Sequence, residues 1–135
     1  MHNGLKKELR LVLTRKCNYD CYFCHGEGVE KNCKDLMNSS DYEFLLSYCK
    51  NKFGWDTVTL TGGEPFVRSD IDEIIDSAYK LNMKTTVVSN GELIKKHLPS
   101  FNKINRLNVS IHSFEDTTYT KIVGRKNKLS KVKWD

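Results

Sequence analysis

The chain has 135 residues, with 22 lysines and arginines against 17 aspartates and glutamates, for a net charge of +5. An apolar content of 39% with 29% charged residues fits a single soluble globular domain over residues 1–135. No apolar run approaches the ~20 residues of a membrane span, and five cysteines in a chain that opens on no leader-like segment point to a reducing cytoplasm rather than a disulfide framework. The basic excess is partly local, with Lys121, Arg125, Lys126, Lys128, Lys131 and Lys133 gathered towards a basic tail over 125–135. No aromatic interleaving or nucleic-acid module accompanies it, so a small anionic molecule suits the charge better than nucleic acid or membrane.

Strand and helix signals alternate along the chain. Leu9 to Thr14 reads as a first strand, followed by a long loop rich in cysteine and glycine. A helix should start near Ser40, where Ser40 and Glu43 have capping-box spacing. Its apolar stripe is Tyr42, Leu45, Leu46, Cys49 and Phe53, which makes Cys49 a small core residue. Asp56 to Thr61 is a second strand that ends at two glycines. Ser69 is the expected cap of the next helix, with Asp72 three residues on and a stripe of Ile71, Ile74, Ile75 and Ala78. Lys84 to Ser89 is the third strand, and Asn90-Gly91 turns into a short helix that Pro99 should end. Arg106 to His112 is the fourth strand, and Thr117 to Val123 gives a last helical turn or two. No internal repeat or low-complexity segment interrupts this order. Such alternation implies parallel strands joined by right-handed crossovers, an α/β fold.

Parallel α/β barrels work at the C-terminal ends of their strands. Every chemically suggestive group lies at such an end: the cysteine loop, Gly62-Gly63-Glu64-Pro65, Ser89-Asn90, and Ser110 with His112. His112 reads more simply as an interior imidazole. The loop carries Cys17, Cys21 and Cys24 in a C-x3-C-x2-C spacing, three soft thiolates with no fourth. Three thiolates can hold three irons of a 4Fe–4S cluster and leave one iron open, whereas structural zinc needs four ligands. His25 abuts Cys24 too closely to share a tetrahedral metal with it, and Cys33 has no knuckle partner. Gly62 and Gly63 let backbone approach a ligand closely.

Cys17-x3-Cys21-x2-Cys24 followed one βα unit later by Thr61-Gly62-Gly63-Glu64-Pro65 resembles the radical S-adenosylmethionine (radical SAM) enzymes. The resemblance implies a partial (β/α) barrel. Eight βα units take ~250 residues, so this length carries about four parallel units. It further implies that Cys17, Cys21 and Cys24 bind a 4Fe–4S cluster whose open iron is chelated by SAM. Phe23 would contact SAM, Gly62, Gly63, Glu64 and Pro65 would hold its methionine moiety, and Ser89, Asn90 and Ser110 would bond its polar groups. The implied chemistry is reductive cleavage of SAM to a 5′-deoxyadenosyl radical that abstracts hydrogen from a small-molecule substrate. A flavodoxin or ferredoxin would donate the electron.

Leu9 to Asn18, Leu60 to Asp70, Ser89 to Leu93 and Arg106 to Arg125 are similar to the family's GTP cyclase branch in molybdenum-cofactor biosynthesis. The likeness is to the N-terminal part of those enzymes. It makes Arg10 a substrate contact and an anionic nucleotide the natural substrate class. Two nucleotide contacts of that branch are replaced here: a strand arginine by Thr59 and a threonine by Val88. Threonine cannot supply an arginine's two-pronged donor to phosphate. A four-unit sheet also leaves an edge strand open. The alternative is therefore a truncated, catalytically silent half-barrel that carries a cluster or pairs with a partner chain, a homo- or hetero-oligomer completing the barrel.

Overall fold

The computed structural model describes residues 7–21, 34–126 and 128–132. Four parallel strands form one sheet in sequence order: β1 Glu8–Val12, β2 Thr57–Thr61, β3 Lys84–Ser89 and β4 Arg106–Val109. Between them run α1 Ser39–Phe53, α2 Ile71–Lys80 and an irregular 3₁₀ stretch over Ile94–Lys103. After β4 come α3 Asp116–Val123 and one helical turn, α4 Leu129–Val132. These are the four parallel βα units expected from the alternation of apolar patterns.

Period-two alternation gives the sheet two unlike faces. Leu11, Val58, Leu60 and Val87 point into a core closed by Leu46 of α1 and by Ile71, Ile74, Ile75 and Ala78 of α2. On the opposite face, strand register places Arg10, Thr59, Thr86 and Arg106 in one row across the sheet. A second core holds Tyr19, Tyr119, Val123, Leu129 and Val132, with Cys17 and Cys21 packed against it. Residues 129–132 thus bury both of their apolar side chains within the basic C-terminal stretch.

Several expected boundaries move. Asn38, not Ser40, caps α1: its side chain accepts from the Asp41 N–H at 3.1 Å, and Asp41 accepts the Asn38 N–H at 2.8 Å. Only Asn38 has the extended backbone that a cap needs, since Ser40 is already helical. Phe53, last of the α1 stripe, is half exposed. Asp70 rather than Ser69 precedes α2 and makes no capping bond, because its carboxylate is bound to Arg68. Pro99 does not stop its segment, which continues to Lys103. A break at His97 puts Pro99 early in a new turn, where a missing N–H costs little. Strand β4 ends at Val109, so Ser110 and His112 lie beyond it. His112 is exposed rather than interior.

Candidate cofactor site

The cysteine loop is tied down where it leaves the sheet. Beyond β1, Leu13 N–H donates to Thr61 O at 2.8 Å, Gly63 N–H to Thr14 O at 2.8 Å, and Glu64 N–H to Lys16 O at 2.9 Å. Three backbone bonds therefore zip the approach to Cys17 onto the Gly-Gly-Glu turn. Gly62 makes this possible. Its φ is +146°, and a Cβ there would lie 2.5 Å from Thr14 O. No side chain fits that approach.

Glu64 sits under this turn with no exposed surface. One carboxylate oxygen accepts from Phe66 N–H at 3.1 Å and Ser89 Oγ at 2.9 Å, and the other from Asn90 N–H at 2.6 Å. Burial pushes its pKa up, against the pull of these three donors. Ser89 is buried too, and its hydroxyl also accepts the Gly91 N–H at 2.9 Å. Glu64 and Ser89 thus staple the end of β2 to the end of β3, and their side chains face protein.

From Asn90 a chain of bonds returns to the cysteine loop. Asn90 Nδ2 donates to Asn18 Oδ1 at 2.7 Å and lies 4.0 Å from Cys17 Sγ. Asn18 Nδ2 donates to Glu92 Oε2 at 2.5 Å. Glu92 is nearly buried and pairs with Lys128 at 2.6 Å and Lys131 at 3.2 Å. On the far side of the loop, Asp20 N–H donates to Val123 O at 2.8 Å, and Asp20 pairs with Arg125 at 2.8 Å. Gly124, in the left-handed region at φ +67°, passes so close to Asp20 that a Cβ would sit 2.6 Å from its carbonyl oxygen. Tyr19 and Tyr119 meet edge to face beneath the loop.

Cys17 and Cys21 are both half-buried at these strand ends. Cys17 Sγ accepts from the Tyr19 N–H at 3.4 Å as well as facing the Asn90 amide. Amide donors beside a sulfur are the outer contacts that orient a thiol ligand. Cys17 and Cys21 are the soft thiol donors that an iron–sulfur cluster takes, and among the described residues no third Cys, His or carboxylate joins them. Cys49 differs: it is buried in α1 and desolvation pushes its thiol up. Phe23, Cys24, His25 and Cys33 lie outside the described residues. Among the rest, the Asn90 amide faces Cys17 and Glu64 is bonded to Lys16 just before it, Pro65 is buried in the turn that follows, and Arg10 is exposed on the sheet face and Ser110 past β4. Sequence patterns did not single out Asn18, Arg68, Glu92 or Lys128.

The fold defines a parallel α/β protein whose site lies at the C-terminal ends of its strands. Residues 11–134 match the radical SAM superfamily, and the chain belongs to that family. It is 37% identical over 129 residues to a probable GTP 3′,8-cyclase of Sulfolobus acidocaldarius, covering 93% of this chain and 40% of that protein. It is 37% identical over 120 residues to the probable GTP 3′,8-cyclase of Pyrobaculum aerophilum, covering 87% of this chain and 38% of that one. The chain therefore spans about two fifths of the length of these relatives. Among solved structures it is similar to Streptococcus suis SuiB bound to S-adenosylmethionine, with a TM-score of 0.70 at 26% identity, over 93% of this chain and 28% of that one. SuiB bound to its precursor peptide SuiA shares the fold at a TM-score of 0.78 and 24% identity, over 97% of this chain and 30% of that one.

Proposed function

We propose that this chain forms the cluster- and SAM-binding part of a radical SAM enzyme of the GTP 3′,8-cyclase type. The observation that carries the reading is the backbone zipper that brings the Cys17 approach against Gly62-Gly63-Glu64. The match of 11–134 to the superfamily and the GTP 3′,8-cyclase relatives support it. Cys17, Cys21 and Cys24 would hold three irons of a 4Fe–4S cluster. Gly62, Gly63 and Pro65 would hold the methionine end of SAM, with Phe23, Asn90 and Ser110 as further contacts. Glu64 and Ser89, whose side chains are committed to each other and to backbone, contribute by fixing the turn. A cluster held by these cysteines would supply the electron for reductive cleavage of SAM to a hydrogen-abstracting 5′-deoxyadenosyl radical. Arg10, in line with Thr59, Thr86 and Arg106, makes the open sheet face suited to an anionic substrate such as a nucleotide. A flavodoxin or ferredoxin would serve as electron donor in the cytoplasm.

Anaerobic reconstitution with iron and sulfide tests this reading. The expected product is a brown protein with about four irons per chain, which forms 5′-deoxyadenosine from SAM and dithionite. One zinc per chain with no charge-transfer absorption would overturn it. A second reading is favoured by β4, which pairs only with β3 among the described residues and exposes Val109, followed by exposed Ile111. In that reading the part is silent until further sequence or a partner chain covers the edge. A reconstituted cluster without 5′-deoxyadenosine would select it.

A further inference from the structure

Arg68 has no part in the chemistry above, yet its side chain is only 4% exposed and each of its three guanidinium nitrogens donates a hydrogen bond. Nη1 donates to Leu13 O at 2.7 Å, and Nη2 to Met37 O at 2.9 Å. Nε and Nη2 also form a two-pronged pair with Asp70, each bond 2.8 Å long. The Tyr42 ring lies 5.3 Å below the guanidinium carbon, and the Tyr42 hydroxyl donates to the same Leu13 carbonyl at 3.4 Å. Lys16 and Arg68 both approach Asp35, at 3.3 and 3.8 Å.

The two carbonyls matter because of where they fall in the chain. Leu13 is where the chain leaves β1 for the cysteine-bearing segment, and Met37 is the last residue before the cap of α1. One buried guanidinium therefore holds both ends of the stretch that contains Cys17, Cys21 and Cys24. An ion pair with Asp70 alone would need no such arrangement. A buried cation must satisfy its donors, and a planar fork can bond two divergent carbonyls and a carboxylate at once. A lysine, with one compact head, cannot.

We propose that Arg68 is a positioning residue for the thiolate loop: it sets the separation of the two loop ends and so the approach of Cys17 and Cys21 to a common metal. The proposal rests on the reading of Cys17, Cys21 and Cys24 as cluster ligands, but one arm of its test does not. The full chain is compared with Arg68→Lys, and with Asp70→Asn, which loosens the guanidinium without removing it. In the apo protein, hydrogen exchange over residues 13–21 and 35–38 should quicken by about tenfold or more in Arg68→Lys, the factor carried by one charge-assisted hydrogen bond. Exchange in β3 should stay within about twofold of the parent. Asp70→Asn should fall between the two. After anaerobic reconstitution, Arg68→Lys should hold several-fold less iron and sulfide per chain, with an altered electron paramagnetic resonance signal on reduction. A core variant of similar thermal stability, Ile75→Val, should load like the parent. Unchanged exchange at both loop ends overturns the proposal, and so does parental iron content with a parental spectrum. A parent that takes up no cluster counts against the cysteine reading, and exchange then decides the clamp alone. Should Arg68→Lys fail to fold, Asp70→Asn carries both arms, with the same outcomes overturning the proposal.

Discussion

Gly62→Ala is the sharpest perturbation of the zipper between β1 and β2. The added methyl would stand 2.5 Å from Thr14 O and 3.1 Å from Thr14 N, against 3.4 Å or more for ordinary contact. Both neighbours are backbone, so neither can rotate away, and the two strand ends must part by most of an ångström. That movement breaks the Gly63 N–H to Thr14 O bond and strains the Glu64 N–H to Lys16 O bond beside it. Holding a non-glycine residue at φ +146° costs ~1–3 kcal/mol, and each lost backbone bond adds ~0.5–1.5 kcal/mol. The expected loss is ~3 kcal/mol, or roughly 10 °C in midpoint for a domain of this size. Urea unfolding followed by circular dichroism measures the first consequence, and iron content after reconstitution the second. Because Lys16 leads directly into Cys17, cluster loading should fall even at temperatures where the variant is fully folded. A Gly62→Ala protein within about 1 kcal/mol of the parent, with parental iron content, would refute the close-approach argument.

Gly63→Val should behave differently, keeping the cluster absorbance while losing SAM affinity by equilibrium dialysis; retained affinity would remove the turn from the SAM site. Cys17→Ala, Cys21→Ala and Cys24→Ala should each abolish the cluster, whereas Cys49→Ala, in the core of α1, should cost only ~1 kcal/mol and leave iron content unchanged. Asp70 gives a pH test with a definite sign. Its hydrogen bond from Arg68, followed by the attraction of that cation, holds its carboxyl below the ordinary value of 3.8, despite some desolvation. A depressed folded-state pKa adds stability that is complete above the unfolded value and is lost as pH falls through the folded one. The stability gap between parent and Asp70→Asn should therefore be full at pH ~6 and shrink below pH ~4; a gap that stays constant on acidification would contradict the pairing.

Local pattern determined most of the frame of this protein. The alternation of Leu9 and Leu11, the Val58 and Leu60 pair, and Val87 identified strands, because period two is enough to separate a core face from an open one. The stripe of Ile71, Ile74, Ile75 and Ala78 placed α2 against that core for the same reason. The spacing of Cys17 and Cys21 and the glycine pair at Gly62 were legible because each is a short-range requirement on one stretch of backbone. What pattern missed was set by partners distant in sequence. Ser69 looks like a helix cap until Asp70 is seen bound to Arg68, and Pro99 looks like a stop until the break at His97 is placed before it. His112 continues a strand-like run that would carry it inward, yet β4 ends three residues earlier and leaves it exposed. Glu64 carries a charge in a motif that invites a ligand, but folding spends that charge on Phe66, Ser89 and Asn90. Arg68 was one basic residue among 22 until the fold brought Leu13, Met37 and Asp70 around it. Hydrogen-bond donors and acceptors of buried groups are chosen by tertiary proximity, and no periodicity along the chain records that choice.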